Sequence, residues 1–347
     1  MKKNDFFSLQ ETQQRMVLEQ AAIRHNLAKQ AVEKDLWVTA IIQIIFTLPC
    51  TDSLVFKGGT SLSKVWGLIN RFSEDIDLAI DRTIFNLDGE LTKKKVKQLR
   101  KESSVFVRDE LYRQLSDAIG QTPLNGRCTI EPQPDGEGDG TYPEPRTIFV
   151  RYQSLFADQI SYLSPIVKVE AGSRSLLEPT ESVEINSLIE TALPTISTTV
   201  ASSKVRTAIA EKTFLEKAFL LHELFSTGKP VEARRRSRHI YDLHMMMQKG
   251  LAEKAIANNE LWETIHHHRA TLTSMQGVDY TPDIRDRILL VPPTESMESW
   301  KNDYEETNGS MIYNNPPSFA DLLESMNLLE QLFRRRTCCT ASSTPSK

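Results

Sequence analysis

Cysteine is scarce. There are four in 347 residues, Cys50, Cys128, Cys338 and Cys339, and none stands at metal-ligand spacing. The adjacent pair in the polar tail is a poor zinc clamp, so a zinc-ribbon or disulfide scaffold is excluded and a reducing, cytoplasmic setting is expected. Long apolar runs are missing too. The longest, around Val38–Leu48, is too short and too interrupted to span a bilayer, and the polar Met1–Glu11 lacks the apolar stretch of a signal peptide, so no membrane association is expected. Neither charge sign dominates: 42 Lys and Arg stand against 46 Asp and Glu, a net charge of −4. Any nucleic-acid contact must therefore come from local basic patches. No internal repeat, Walker loop or dinucleotide fingerprint is present. What remains is 39% hydrophobic and 25% charged residues, enough for a sizeable core, over a length typical of two domains.

Along the chain, Leu27, Ala31, Leu36, Ala40, Ile41, Ile44 and Ile45 recur at three- and four-residue spacing, predicting a helix with one buried face that Pro49 closes. Ser53–Lys57 reads as a short strand ending in Gly58-Gly59, with helical character from Thr60 to Leu68. Asp75–Ile80 alternates charged and apolar residues, the pattern of a half-buried strand. Leu91–Ile119 is a charged helical stretch, Pro132–Pro145 a loop, and Thr147–Tyr152, Ile166–Glu170 and Ile196–Ala201 strands. From about Val205 helices are expected at Thr207–Phe225, Arg238–Gln248 and Pro317–Phe333, followed by a frayed tail.

The densest local signal is Phe56-Lys57-Gly58-Gly59-Thr60-Ser61-Leu62-Ser63-Lys64, then Arg71-Phe72-Ser73-Glu74-Asp75-Ile76-Asp77-Leu78. Glycines clear the backbone N–H groups for a phosphate, and a helix starting there adds a positive dipole end. Two carboxylates spaced i, i+2 on a strand share one face, where they can hold one or two hard divalent cations such as Mg²⁺. Separately, a Gly-Gly-Thr is most often a turn and an Asp-x-Asp an exposed strand edge. Their ordered combination is what points to metal-assisted chemistry on a nucleotide.

These runs, with Val32-Glu33-Lys34-Asp35-Leu36-Trp37-Val38, Thr213-Phe214-Leu215-Glu216-Lys217-Ala218-Phe219-Leu220-Leu221-His222, Ser237-Arg238-His239-Ile240-Tyr241-Asp242-Leu243, and the later Asn302-Asp303-Tyr304 and Met311, resemble the AbiEii/AbiGii-type nucleotidyltransferase toxins. The resemblance covers most of residues 30–333. It implies an α+β fold: a polymerase β-like nucleotidyltransferase domain, a mixed sheet with helices, over 1–204, then a helical C-terminal domain over 205–333 and a flexible tail over 334–347. It also implies a toxin of a bacterial toxin–antitoxin or phage-defence system, adding NMP from NTP to RNA, notably the tRNA 3′ end, and blocking translation. A cognate antitoxin would be its partner.

By the same resemblance Asp75 and Asp77 bind the metal, Mg²⁺ or Mn²⁺, and Lys217 and Asp242 complete the catalytic set. Lys57, Gly58, Gly59, Thr60, Ser61, Lys64 and Ser73 frame the nucleotide-binding turn. Glu170, in Val167-Lys168-Val169-Glu170, has the strand context of a third carboxylate, with an ion pair to Lys168 or Arg174 as the alternative. Whether Glu170 or Asp242 fills that place stays open, and a plain salt bridge between Lys217 and Asp242 is the structural alternative for that pair. Phosphorylation of Ser73 would put about −2 charge beside the metal carboxylates. Arg234, Arg235, Arg236 and Arg238 are the expected RNA-binding cluster. The run Lys93–Lys101 is read equally as RNA contact or solvated helix face. His266-His267-His268 point in different directions on a helix and do not make a metal site. Two further readings stay open: the same site acting on a protein or small-molecule hydroxyl, and a catalytically silent binding module.

Overall fold

After the short strand β1 (Asn4–Asp5), a left-handed residue, Asn26 at φ 52°, ends α1 (Glu11–His25), and the chain turns into α2 (Lys29–Ile45). This computed structural model describes residues 3–73, 75–87, 89, 92–136, 142–156, 163–201, 204–227, 232–312 and 315–340, without the side chains of 309–310 and 336–340. Leu91, part of the expected 132–145 loop, the last seven residues and the Cys338 and Cys339 side chains lie outside this description. Helix α2 is buried all round from Ala31 to Ile45 rather than on one face, as a helix apolar on every side must be.

The chain continues through β2 (Leu54–Lys57), α3 (Gly58–Lys64), β3 (Asp75–Ile80) and α4 (Lys93–Phe106). A wider π turn at Val107–Leu111 leads into α5 (Tyr112–Gly120). Then follow β4 (Cys128–Pro132), β5 (Arg146–Tyr152), β6 (Ile166–Gly172), β7 (Thr180–Val183), α6 (Leu188–Ala192), β8 (Ile196–Ser197) and β9 (Val205–Ala208). Among the described residues seven strands form one mixed sheet in the order β4-β5-β6-β3-β2-β9-β7. The expected last strand, 196–201, does not complete it. Ile196 and Ser197 pair instead with Asn4 and Asp5, and Val205–Ala208, read as the start of a helix, lies parallel to β2 in the large sheet. A β-branched Val205 and Thr207 suit that strand.

Ile76, Leu78, Val167, Val169, Ile148 and Val150 are buried on one face of the sheet, and α2 packs against β3 and β6. Three consecutive charges of α2 are each anchored. Both oxygens of Glu33 accept bonds, from Leu155 N and Ser154 Oγ at 2.6 Å each. Lys34 donates to the Ser164 carbonyl (2.9 Å), and Asp35 accepts from Leu188 N (2.7 Å) and from Lys64. Burial raises the Glu33 carboxyl pKa, and these donors offset only part of that.

The chain divides into two compact units, 1–66 with 72–208, and 67–71 with 209–347. The second is helical: α7 (Ala210–Ser226), α8 (Ser237–Gln248), α9 (Leu251–Ala257), α10 (Asn259–His268), α11 (Met297–Met311) and α12 (Phe319–Thr340). Its core is aromatic, with Phe219 stacked on Trp262 at 4.4 Å, Trp262 beside Phe333 at 5.4 Å, and Phe225 edge-on to Trp300 at 5.0 Å. His266 stacks on Phe219 and its Nε2 meets the Tyr280 carbonyl at 3.0 Å, which makes it a core residue.

Candidate active site

Strand register brings the acidic residues together. Lys57 on β2 is the direct partner of Asp77 on β3, Asp77 of Glu170 on β6, and Glu170 of Thr147 on β5. Residues directly opposite on paired strands share a face, and Asp75, two positions before Asp77, shares it too. The sheet face opposite the apolar core thus carries Lys57, Asp77 and Glu170 in one row and Asp75 with Lys168 in the next. All are half-buried. Burial, then Asp77, then Asp75 raise the Glu170 carboxyl pKa, with Lys168 and Lys57 opposing. Neither alternative partner claims Glu170: Lys168 Nζ lies 3.9 Å from Asp75 Oδ1, and Arg174 Nε 3.6 Å from Glu144 Oε2.

The turn is shaped around Asp77. Gly58 has φ +81°, and a Cβ there would stand 2.1 Å from Asp77 Oδ2. Only glycine meets both demands. Gly59 follows in the first turn of α3. Thr60 and Ser61 are buried, and their hydroxyls serve the backbone: Thr60 Oγ1 donates to the Asp75 carbonyl and lies 2.9 Å from Ser73 Oγ, while Ser61 Oγ donates to the Gly58 carbonyl at 2.8 Å. Thr60 thus ties the turn to β3, and Ser61 closes the turn on itself. Lys64 is also committed elsewhere, in a buried ion pair with Asp35.

In the helical unit Asp242 is fully buried, with Arg71 Nε at 2.6 Å from Oδ1, Arg71 Nη2 at 2.8 Å from Oδ2, and Lys217 Nζ at 2.9 Å from Oδ2. Burial by itself would raise the Asp242 carboxyl; Arg71 and Lys217 outweigh it and hold it well below the usual range. Burial pulls the Lys217 ammonium down, and Asp242 restores part of the loss. His239 Nδ1 lies 3.4 Å from Lys217 Nζ, and burial followed by the charges of Lys217 and Arg238 drives its pKa well below normal. A carboxylate so occupied is a poor base, while Glu170 shares the sheet face with Asp75 and Asp77. Arg71 was missed in the sequence, although it stands in the quoted run; nothing local tied it to a residue 171 positions later. Asp303 was singled out only by pattern. It accepts from Arg235 N, Ser237 N (2.9 Å) and Ser237 Oγ, which fixes the entry to α8. Arg234 and Arg235 are exposed there, and Arg236 and Arg238 half-buried.

The model of one protein family, the nucleotidyl transferase AbiEii toxin of type IV toxin–antitoxin systems, matches residues 43–325. The chain belongs to the AbiEii nucleotidyltransferase toxin family. Among solved structures, the nucleotidyltransferase toxin MenT4 of Mycobacterium tuberculosis H37Rv is similar in fold, with a TM-score of 0.52 and 17% identity, over 97% of this chain and 91% of that one. No curated protein matches. The α+β class expected from the sequence is thus found, with the mixed sheet and helical part of a nucleotidyltransferase toxin. No helix is long and apolar enough to cross a membrane among the described residues.

The carboxylate face fits a divalent cation by its chemistry. Asp75 and Asp77 are hard oxygen donors on one strand, glycine leaves room at the Asp77 carboxylate, and burial with the nearby aspartates lifts Glu170. No closed set of three ligating side chains is assembled among the described residues.

Proposed function

We propose that this AbiEii-family member transfers NMP from an NTP to the 3′ end of RNA, with tRNA as the acceptor, in the cytoplasm, where a cognate antitoxin restrains it. The supporting observation is the row Lys57–Asp77–Glu170, with Asp75 beside it, on the polar face of the sheet. Asp75 and Asp77 would hold a divalent cation, Mg²⁺ or Mn²⁺, which when bound neutralises phosphate charge and lowers the pKa of an attacking hydroxyl. Lys57 and the backbone of Gly58 and Gly59 bind the phosphates. The RNA 3′-oxygen bonds to the α-phosphorus as the bond to the bridging β-oxygen breaks and pyrophosphate leaves. Glu170 accepts the hydroxyl proton. In the helical unit, two cations against Asp242 leave one net positive charge, which we assign to the triphosphate with Lys217 as the contact and Asp242 as its positioning residue.

Purified protein incubated with tRNA, Mg²⁺ and each α-labelled NTP in turn should label the RNA with at least one nucleotide. Asp77→Ala should not. RNA left unlabelled by all four NTPs would reject tRNA as acceptor and send the search to protein and small-molecule hydroxyls.

A further inference from the structure

A second polar feature of the sheet unit lies outside the acidic row. A cavity of about 390 Å³ is lined by Lys93, Lys97, Arg100, Lys101, Tyr142 and Arg174, together with Val96. Five of these side chains are cationic. Lys93, Lys97 and Lys101 are exposed and form no ion pair among the described residues. Arg100 and Lys101 are fixed at the wall: Arg100 Nε donates to the Tyr142 carbonyl at 2.9 Å, and Lys101 Nζ sits 5.6 Å from the centre of the Tyr142 ring. Glu144, 3.6 Å from Arg174, has its carboxylate buried and accepts from Ser173 N at 2.5 Å. Among the described residues that line it, five are cationic and none is acidic, and a concave site of one charge sign raises the local concentration of counter-ions.

From this cavity we infer a phosphate-backbone site for the RNA acceptor, an inference that rests on the proposed NMP transfer to RNA. Position favours RNA over other polyanions. Arg174 lies just past the end of β6, and Gly172, the last residue of that strand, is only two positions beyond Glu170, roughly 7 Å along the strand. A strand whose 3′ end lies over Asp77 and Glu170 would carry its upstream phosphates past the end of the sheet and into the cavity. The helix suits a repeating anion: Lys93, Lys97 and Lys101 recur every four residues, stepping about 6 Å each time along α4. Arg234 and Arg235, also expected from the sequence to bind RNA, are exposed in the segment that enters α8.

The test is direct binding of fluorescent tRNA, measured by anisotropy across a salt series, for the full chain and for Lys93→Gln/Lys97→Gln/Lys101→Gln. The exposed positions make a folding failure avoidable, and an unchanged melting temperature checks this. Loss of three phosphate contacts should weaken binding at least tenfold at low salt and flatten the log Kd against log salt slope by two to three, about 0.9 per contact for a duplex and 0.7 for a single strand. Labelled-NTP binding should not change. Equal affinity and slope in the variant, with wild type binding tRNA well, would overturn the inference and leave NMP transfer to RNA standing. Wild type that binds no tRNA would remove both. Displacement of the tRNA by poly-glutamate of equal charge, as tightly and through the same three lysines, would overturn it in favour of an acidic protein face.

Discussion

At the scale of single residues, chemistry and stability should separate. Asp75, Asp77 and Glu170 crowd negative charge onto one face, so Asp77→Asn should abolish transfer while leaving the melting temperature unchanged or higher, because it relieves repulsion at Glu170. Asp242→Ala should instead cost stability as well as transfer. It strands Arg71 and Lys217 without their carboxylate in a buried setting, a loss of about 3–5 kcal/mol, which thermal unfolding would read as a large drop. A melting temperature within a degree of wild type would refute that reading. Gly58→Ala sets a methyl against Asp77 and forces a side chain onto φ +81°. Strain of about 1–3 kcal/mol is expected, and because Asp77 must move, transfer should fall at least tenfold; steady-state kinetics with labelled NTP would show it.

At the scale of elements, α2 is the framework. Glu33→Ala removes the acceptor of Leu155 N and Ser154 Oγ inside the unit, for about 1–3 kcal/mol. Glu33→Gln keeps an acceptor and gives up a carboxylate that burial already disfavours, so it should stay within about 1 kcal/mol of wild type in urea unfolding. The sequence made β3 legible to the residue, because Asp75–Ile80 alternates at period two, and it made the turn at Gly58 legible through its glycines. It did not show that α2 is buried all round. Glu33, Lys34 and Asp35 look like a solvated face until residues 121, 130 and 153 positions away supply their partners. Long-range register was equally out of reach. Nothing near Ile196 announces that it pairs with Asn4, and Val205–Ala208 reads as helix until β2 lies beside it. The Gly58 turn was legible, but the backbone bonds of the Thr60 and Ser61 hydroxyls were not, since a hydroxyl's partner is a matter of three-dimensional placement.

For the whole molecule, buried imidazoles set the acid limit. Burial lowers His222 to about 4 from 6.5, and its Nδ1 accepts from Leu289 N at 3.1 Å; His239 and His244 move in the same direction. The unfolded chain binds protons that these folded residues refuse. Stability is therefore full above about pH 6.5 and falls as pH drops toward 4, by up to about 3 kcal/mol for His222. Raised Glu33 and Glu170 act with the opposite sign, so the clean reading is by difference: urea unfolding at pH 4.5 and 7.5 should show a smaller pH change in His222→Gln than in wild type. Equal changes would remove His222 as a source.

The placement of Gly67–Arg71 in the helical unit also has a consequence in time. Arg71 leaves the ribosome 171 residues before Asp242, a lag of roughly ten to thirty seconds at bacterial rates. From residue 170 onward in that interval the nascent chain carries the whole acidic row but lacks the carboxylate that holds Arg71. A chain released between residues 170 and 242 keeps the acidic row and never closes that lock.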